Sequence, residues 1–183
     1  MTKFIFFLCF ASTLSAFSQD ISSKSTVQYL NMTSLSTYKN TESYFLSDEV
    51  RRTDGLGFEL SSIHGARFFG FVALSAGISL DYNINKTFVS NPIIFDLRFF
   101  SKRGTDGTLF AYFQTGPNLK WSNNIETNGN SSKFGAGAFF DFDEHVSYFV
   151  DVFRKTKSLN LKESVSNDTY NVVGYGISIG VKF

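Results

Sequence analysis

A chain of 183 residues, 43% of them hydrophobic and with a mean hydropathy of −0.04, has room for one domain or two small ones and excludes disordered and collagen-like polymers. Charged residues are sparse at 18%, while 23 Phe, 8 Tyr and 1 Trp bring the aromatics to 17%, so rings stand where a soluble surface would carry charge. A formal net charge of +1 gives no electrostatic basis for binding nucleic acid.

Residues 1–18 read as a cleavable export signal. Lys3 supplies a positive start, Phe4 to Ala11 is an apolar run too short to span a bilayer, and Ala16-Phe17-Ser18 has the small-x-small form of a cleavage site, placing the cut after Ser18. Cys9, the single cysteine, lies in this segment, so residues 19–183 hold no thiol for a disulfide, a zinc ligand or a nucleophile. Those residues, with basic and acidic side chains balanced at 16 each, are expected to form one domain.

Beyond Ser18 no run of apolar residues is long enough for a transmembrane helix, and the period is two. A weak segment at 26–36 is followed by stronger ones at 54–66, 69–82, 91–101, 108–121, 132–142, 144–157 and 170–183. Long polar gaps at 37–53, 83–90, 122–131 and 158–169 alternate with short ones near 67, 102–107 and 143, which predicts an antiparallel meander with unlike ends. Along 69–82 the residues Val72, Leu74, Ala76, Ile78 and Leu80 oppose Ala73, Ser75, Gly77, Ser79 and Asp81. The last segment sets Val173, Tyr175, Ile177, Ile179, Val181 and Phe183 against Gly174, Gly176, Ser178, Gly180 and Lys182, and the others repeat the contrast.

One face is thus greasy and free of charge, and the other is small, polar and ionic. A soluble sandwich would cover its outside with Lys, Glu and Thr; here the apolar face has lipid as its natural solvent. Open sheet edges in hydrocarbon leave backbone groups unpaired at several kcal/mol each, so the sheet must close. The reading is an all-β fold: an eight-stranded antiparallel up-and-down transmembrane β-barrel. Its lumen is expected to hold an ionic network of Glu59, Asp81, Asp96, Asp141 and Asp151 with Arg98, Lys120, Lys133, Lys155 and Lys182. Glu59, Asp96, Arg98 and Asp151 fall near mid-height, the rest nearer the mouths, and Arg98 is expected to bridge Asp96, Asp151 or Glu59.

The runs Gly55-Leu56-Gly57-Phe58-Glu59 and Pro92-Ile93-Ile94-Phe95-Asp96-Leu97-Arg98-Phe99-Phe100, with the ending Tyr175-Gly176-Ile177-Ser178-Ile179-Gly180-Val181-Lys182-Phe183, resemble the small exported outer-membrane β-barrel family of OmpX/OmpA-like type over residues 19–183. The resemblance implies a bacterial outer-membrane location, both termini on the periplasmic side, and a last strand whose Tyr175, Ile177, Ile179, Val181 and Phe183 are read by the barrel-assembly machinery. The long connections then face outward. The longest, 37–54, carries Tyr38, Tyr44, Phe45 and the pair Arg51-Arg52. Tyr82, Phe99, Trp121, Phe142, Tyr148 and Phe183 suit two interfacial girdles. The first strand and Pro117 depart from the family pattern, and Pro117 predicts a bulge in the fifth strand or a strand standing above the membrane.

Enzyme chemistry finds little support. His145-Val146-Ser147 puts a histidine and a serine on one face, resembling lipid A deacylases, yet it falls in a short periplasmic turn, and no Asn follows Ser147. His64 lies near another short turn with no ligand at metal spacing. The glycines of 135–137 and 174–180 open no helix and share the lumen face, where they make room for Phe139, Phe149 and Phe153. The sequence therefore reads as a non-enzymatic membrane scaffold without cofactor or metal, in contact with outer-membrane lipid, whose outer loops are available to an extracellular partner or surface. A small porin-like channel is the alternative, and a lipid-modifying enzyme a more distant one.

Overall fold

The computed structural model describes residues 27–46, 55–84, 88–101, 108–119, 128–141, 146–162 and 167–183. Eight strands follow in chain order: β1 (Val27–Phe45), β2 (Leu56–Phe68), β3 (Val72–Asn83), β4 (Phe88–Phe100), β5 (Leu109–Leu119), β6 (Asn128–Asp141), β7 (Ser147–Lys162) and β8 (Asn167–Lys182). Each is hydrogen-bonded antiparallel to its sequence neighbours, and β1 pairs with β8, so the sheet closes into a barrel. Closure leaves no strand edge, so the backbone groups of each strand find partners on both sides along most of its length.

Period-two patterning sorts the side chains. On β3, Leu74, Ile78, Leu80 and Tyr82 are exposed while Ala73, Ser75, Ser79 and Asp81 are buried, and the other strands alternate likewise. The wall is inverted relative to a soluble barrel: exposed Leu, Ile, Val and Phe outside, and Ser, Asn, Asp, Glu, Lys and Arg buried inside. Phe69, Phe71, Phe99, Phe140, Tyr148 and Phe183 crowd the terminal end of the outer face. Ten residue steps along β3, from Val72 to Tyr82, correspond to a band of about 24 Å for a strand tilted by ~45°.

Several strands run further than their sequence contrast indicates. β1 continues through the expected 37–53 gap to Phe45, β7 continues to Lys162, β8 begins at Asn167, β4 at Phe88 and β6 at Asn128. The short turn expected near residue 67 is instead Phe69–Gly70, where both central residues have positive φ (52° and 74°), the two-residue geometry that suits the right-handed twist of a hairpin. The bulge expected at Pro117 is absent. The β4–β5 register is the same on both sides of a break, pairing Pro92 with Asn118 and resuming at Phe95 with Thr115. Two prolines on adjacent strands, each lacking an N–H, interrupt the ladder without shifting it. The register shift lies in β1, between Asn40 and Glu42, where the Thr41 hydroxyl donates to the Val173 carbonyl at 3.2 Å.

Candidate functional site

The lumen is packed from end to end. Toward the loops, Lys155 lies between Glu59 and Asp81 and bonds both. Lys133 donates to the second oxygen of Glu59 at 3.1 Å, and Lys157 donates to Asp81 and to the Ser90 hydroxyl, each at 2.6 Å. Tyr38 completes the Asp81 shell, donating at 2.7 Å. These groups come from β1, β2, β3, β4, β6 and β7, so the network ties opposite walls together. Each carboxylate meets two ammonium groups, which is what makes burial of so many charges tolerable.

Deeper toward the termini, Asp96 accepts from Arg98 at 3.3 Å and from the Gln114 amide at 2.9 Å. The Arg98 guanidinium lies over the neighbouring rings of Phe110 and Tyr112, 4.7 and 4.6 Å from their centroids. Tyr112 donates to Asp151 at 2.9 Å. The Nη1 atom of Arg98 is buried without a partner, beside a void about the size of one water lined by Ser61, Gln114, Lys133 and Asp151. Below it, Phe100, Phe110, Phe139 and Phe149 interlock with neighbouring centroids 4.8–5.9 Å apart. Arg67 caps Phe100 at 4.0 Å and donates to the Gly70 carbonyl, while Lys182 lies 5.4 Å from the Phe139 centroid. Phe149 and Phe153 sit directly over Gly180 and Gly176, where any side chain would collide with the rings.

The structure thus brings Glu59, Asp81, Lys133 and Lys155 into one cluster, places Asp96 with Arg98 and Asp151 with Tyr112, and sets Lys182 apart at the terminal end. Lys133 and Lys155 both reach Glu59, so the acid expected at mid-height and the bases expected nearer the mouths share one cluster on the loop side. Lys120 and the Asp141 side chain lie outside the described residues, as do Ser18, Arg51, Arg52, Trp121, Phe142 and His145. Sequence reading missed Lys157, Arg67 and Tyr38. Arg67 keeps the lumen parity of Glu59 but falls one residue past the expected segment 54–66, whereas Lys157 keeps the parity of Asp151 at the last position of the expected segment 144–157, where nothing in the sequence marks it as a partner of Asp81. Tyr38 was assigned to a loop.

The outer wall is not apolar throughout: Thr115 and Ser132 meet across β5 and β6, Lys39 and Arg154 carry charge on β1 and β7, and a polar strip runs along β1 and β2. Tyr29, Asn31, Thr33 and Thr37 occupy the outward positions of β1, beside Ser62 and His64 on β2. The Tyr29 hydroxyl is 2.7 Å from His64 Nδ1, and Ser62 Oγ is 3.4 Å from Nε2. His64 is therefore a strand residue on the outside of the wall, with a hydroxyl partner for each nitrogen. Ser147 starts β7 and is buried. Tyr82, Phe99, Tyr148 and Phe183 all face outward, while Tyr44 and Phe45 belong to β1, Phe45 with its ring 4.9 Å from that of Tyr170.

No family model and no curated protein matches the sequence. Among solved structures, the fold is similar to that of Neisserial surface protein A (NspA), with a TM-score of 0.52 and 11% identity over 85% of this chain and 97% of that one. The outer membrane protein OprG from Pseudomonas aeruginosa matches with a TM-score of 0.43 and 15% identity, over 90% of this chain and 99% of that one. The resemblance to small outer-membrane barrels holds at the level of fold: the chain is an all-β, closed, antiparallel, eight-stranded up-and-down barrel.

Proposed function

We propose that this protein is a non-enzymatic scaffold of a bacterial outer membrane, exported by a signal cleaved after Ser18, which holds its outer loops available to an extracellular partner or surface. The observation that carries the reading is a lipid-compatible wall around a lumen filled along its length by phenyl rings and paired charges. Such an interior favours a scaffold over a conducting pore, because the bore of an eight-stranded barrel is narrow enough for side chains to fill. Assembly relies on the last strand, in which Tyr175, Ile177 and Ile179 face outward and end at Phe183, a feature for the barrel-assembly machinery to engage.

The expected outcome is recovery of the mature chain with the outer-membrane fraction, and migration on gel that shifts in apparent mass on boiling. Reconstituted in planar bilayers, it gives no single-channel conductance, nor do Arg98→Gln and Asp96→Asn variants. A detergent-free soluble monomer overturns the membrane reading; stable conductance steps replace the scaffold with a channel.

A further inference from the structure

On β2, β3 and β4 the outward residues near the loop end carry no charge and are apolar apart from Asn91, with Leu56, Phe58, Leu80, Tyr82 and Val89 exposed. The opposite side of the barrel differs. Register aligns Lys39 of β1, Tyr175 of β8 and Arg154 of β7 in a single row across three strands. Residues directly opposite in an antiparallel pair point to the same side of the sheet, and Tyr175, 56% exposed, shows that this side is the outside. Two cations therefore flank one phenol ring, about 10 Å apart at the usual interstrand spacing.

Eight residues along β8 separate Tyr175 from Phe183, which puts the row about 18 Å above the terminal aromatic girdle for a strand tilted by ~45°. That height is the loop-side part of the apolar band, within reach of lipid headgroups for side chains as long as Lys and Arg. Arg154 finds no acid among the described residues: its Nε is buried without a hydrogen bond, and its contact is the Phe134 ring at 5.9 Å. Glu42, opposite Val173 and one step nearer the loops, is the acid of this neighbourhood and leaves the row net positive. Thr156, also opposite Val173, adds an exposed hydroxyl above the row. A guanidinium on a lipid-facing wall is costly unless an anion or water meets it, and an ionisable side chain in such a place marks a site for a partner of opposite charge.

We propose that Lys39, Tyr175 and Arg154 form a binding site for the anionic phosphate of a membrane-lipid headgroup in the loop-side leaflet. Arg154 supplies paired N–H donors to the phosphate oxygens, Lys39 a second cation, and Tyr175 an apolar face for the adjoining part of the lipid. The site rests on the reading that this wall faces lipid.

The test uses the mature chain folded into phosphatidylcholine nanodiscs doped with either phosphatidic acid or diacylglycerol of the same acyl chains, with retained lipid counted by native mass spectrometry. Phosphatidic acid is expected to be retained over both phosphatidylcholine and diacylglycerol. Arg154→Gln and Lys39→Gln each weaken retention about fivefold, the equivalent of roughly 1 kcal/mol per basic residue near a charged membrane surface. Both variants keep the boiling shift, and excess glycerol 3-phosphate leaves retention unchanged. A chain that inserts and shows the shift but holds phosphatidic acid no better than diacylglycerol, or releases it to equimolar glycerol 3-phosphate, overturns this site while the barrel reading stands. A chain that never enters the nanodisc overturns both.

Discussion

Lys155 is the side chain on which the upper lumen turns, because Glu59 and Asp81 both depend on it. Lys155→Ala leaves two buried carboxylates with one ammonium group each, and loss of one partner from a buried ion pair costs about 3–5 kcal/mol. Urea unfolding of the folded barrel in lipid vesicles, followed through the single Trp, should show a loss of that size. Lys155→Met combined with Glu59→Gln should cost less than Lys155→Ala alone, since it removes a charge of each sign. Arg98→Ala is expected to destabilise as well, by leaving Asp96 without its cation and by uncovering the rings of Phe110 and Tyr112; unchanged stability would dismiss the network as a structural element. Which residues face inward was legible in the sequence, because parity alone separates Asp81 or Asp151 from their apolar neighbours. Which of them touch was not: the Lys155–Glu59 contact joins residues 96 positions apart, and its existence depends on the diameter of the closed barrel.

At the scale of the strand, hydrophobic alternation marks where the apolar outer band begins and ends rather than where pairing stops. β1, β7 and β8 extend past the apolar band on residues such as Thr41, Asn160 and Thr169, polar on both faces, so period two loses its contrast while the backbone ladder continues. β1 was the weakest element to read because much of its outward face is hydroxyl and amide. Leu35, 52% exposed and flanked by Leu60 and Ile179, is the apolar anchor of that strand at mid-height. Leu35→Arg is expected to cost about 2–4 kcal/mol of folding stability in vesicles, the penalty for a lipid-facing cation near the midplane. A further expectation concerns β4 and β5, where the ladder lapses across Ile93–Ile94 and Gly116–Pro117. Amide hydrogens there should exchange with solvent deuterium sooner than those of the unbroken β7–β8 ladder, and equal protection would mean that the prolines leave no local weakness.

For the molecule as a whole, closure and stagger are one property. Traced through cross-strand partners from Asn31, the ladder circles the wall and returns to β1 at Glu42. A stagger of that extent over eight strands goes with the 35–45° tilt of transmembrane barrels and sets a bore that side chains can fill. Among the described residues, apart from Arg67 near the terminal end, the buried charges number four acids, Glu59, Asp81, Asp96 and Asp151, and four bases, Arg98, Lys133, Lys155 and Lys157. Eight strands and the inverted wall were readable from segment count and face contrast. The returning register was not, because it depends on which residues meet across β1 and β8.

That seam has a bearing on how the protein is made. The two strands that complete the cylinder are the first and the last of the eight, so neither is satisfied along its outer margin until the other is in place. A partly folded barrel therefore carries two raw margins, each a row of unpaired N–H and C=O groups. The zipping of β8 onto β1 removes both at once and is the step that locks the cylinder.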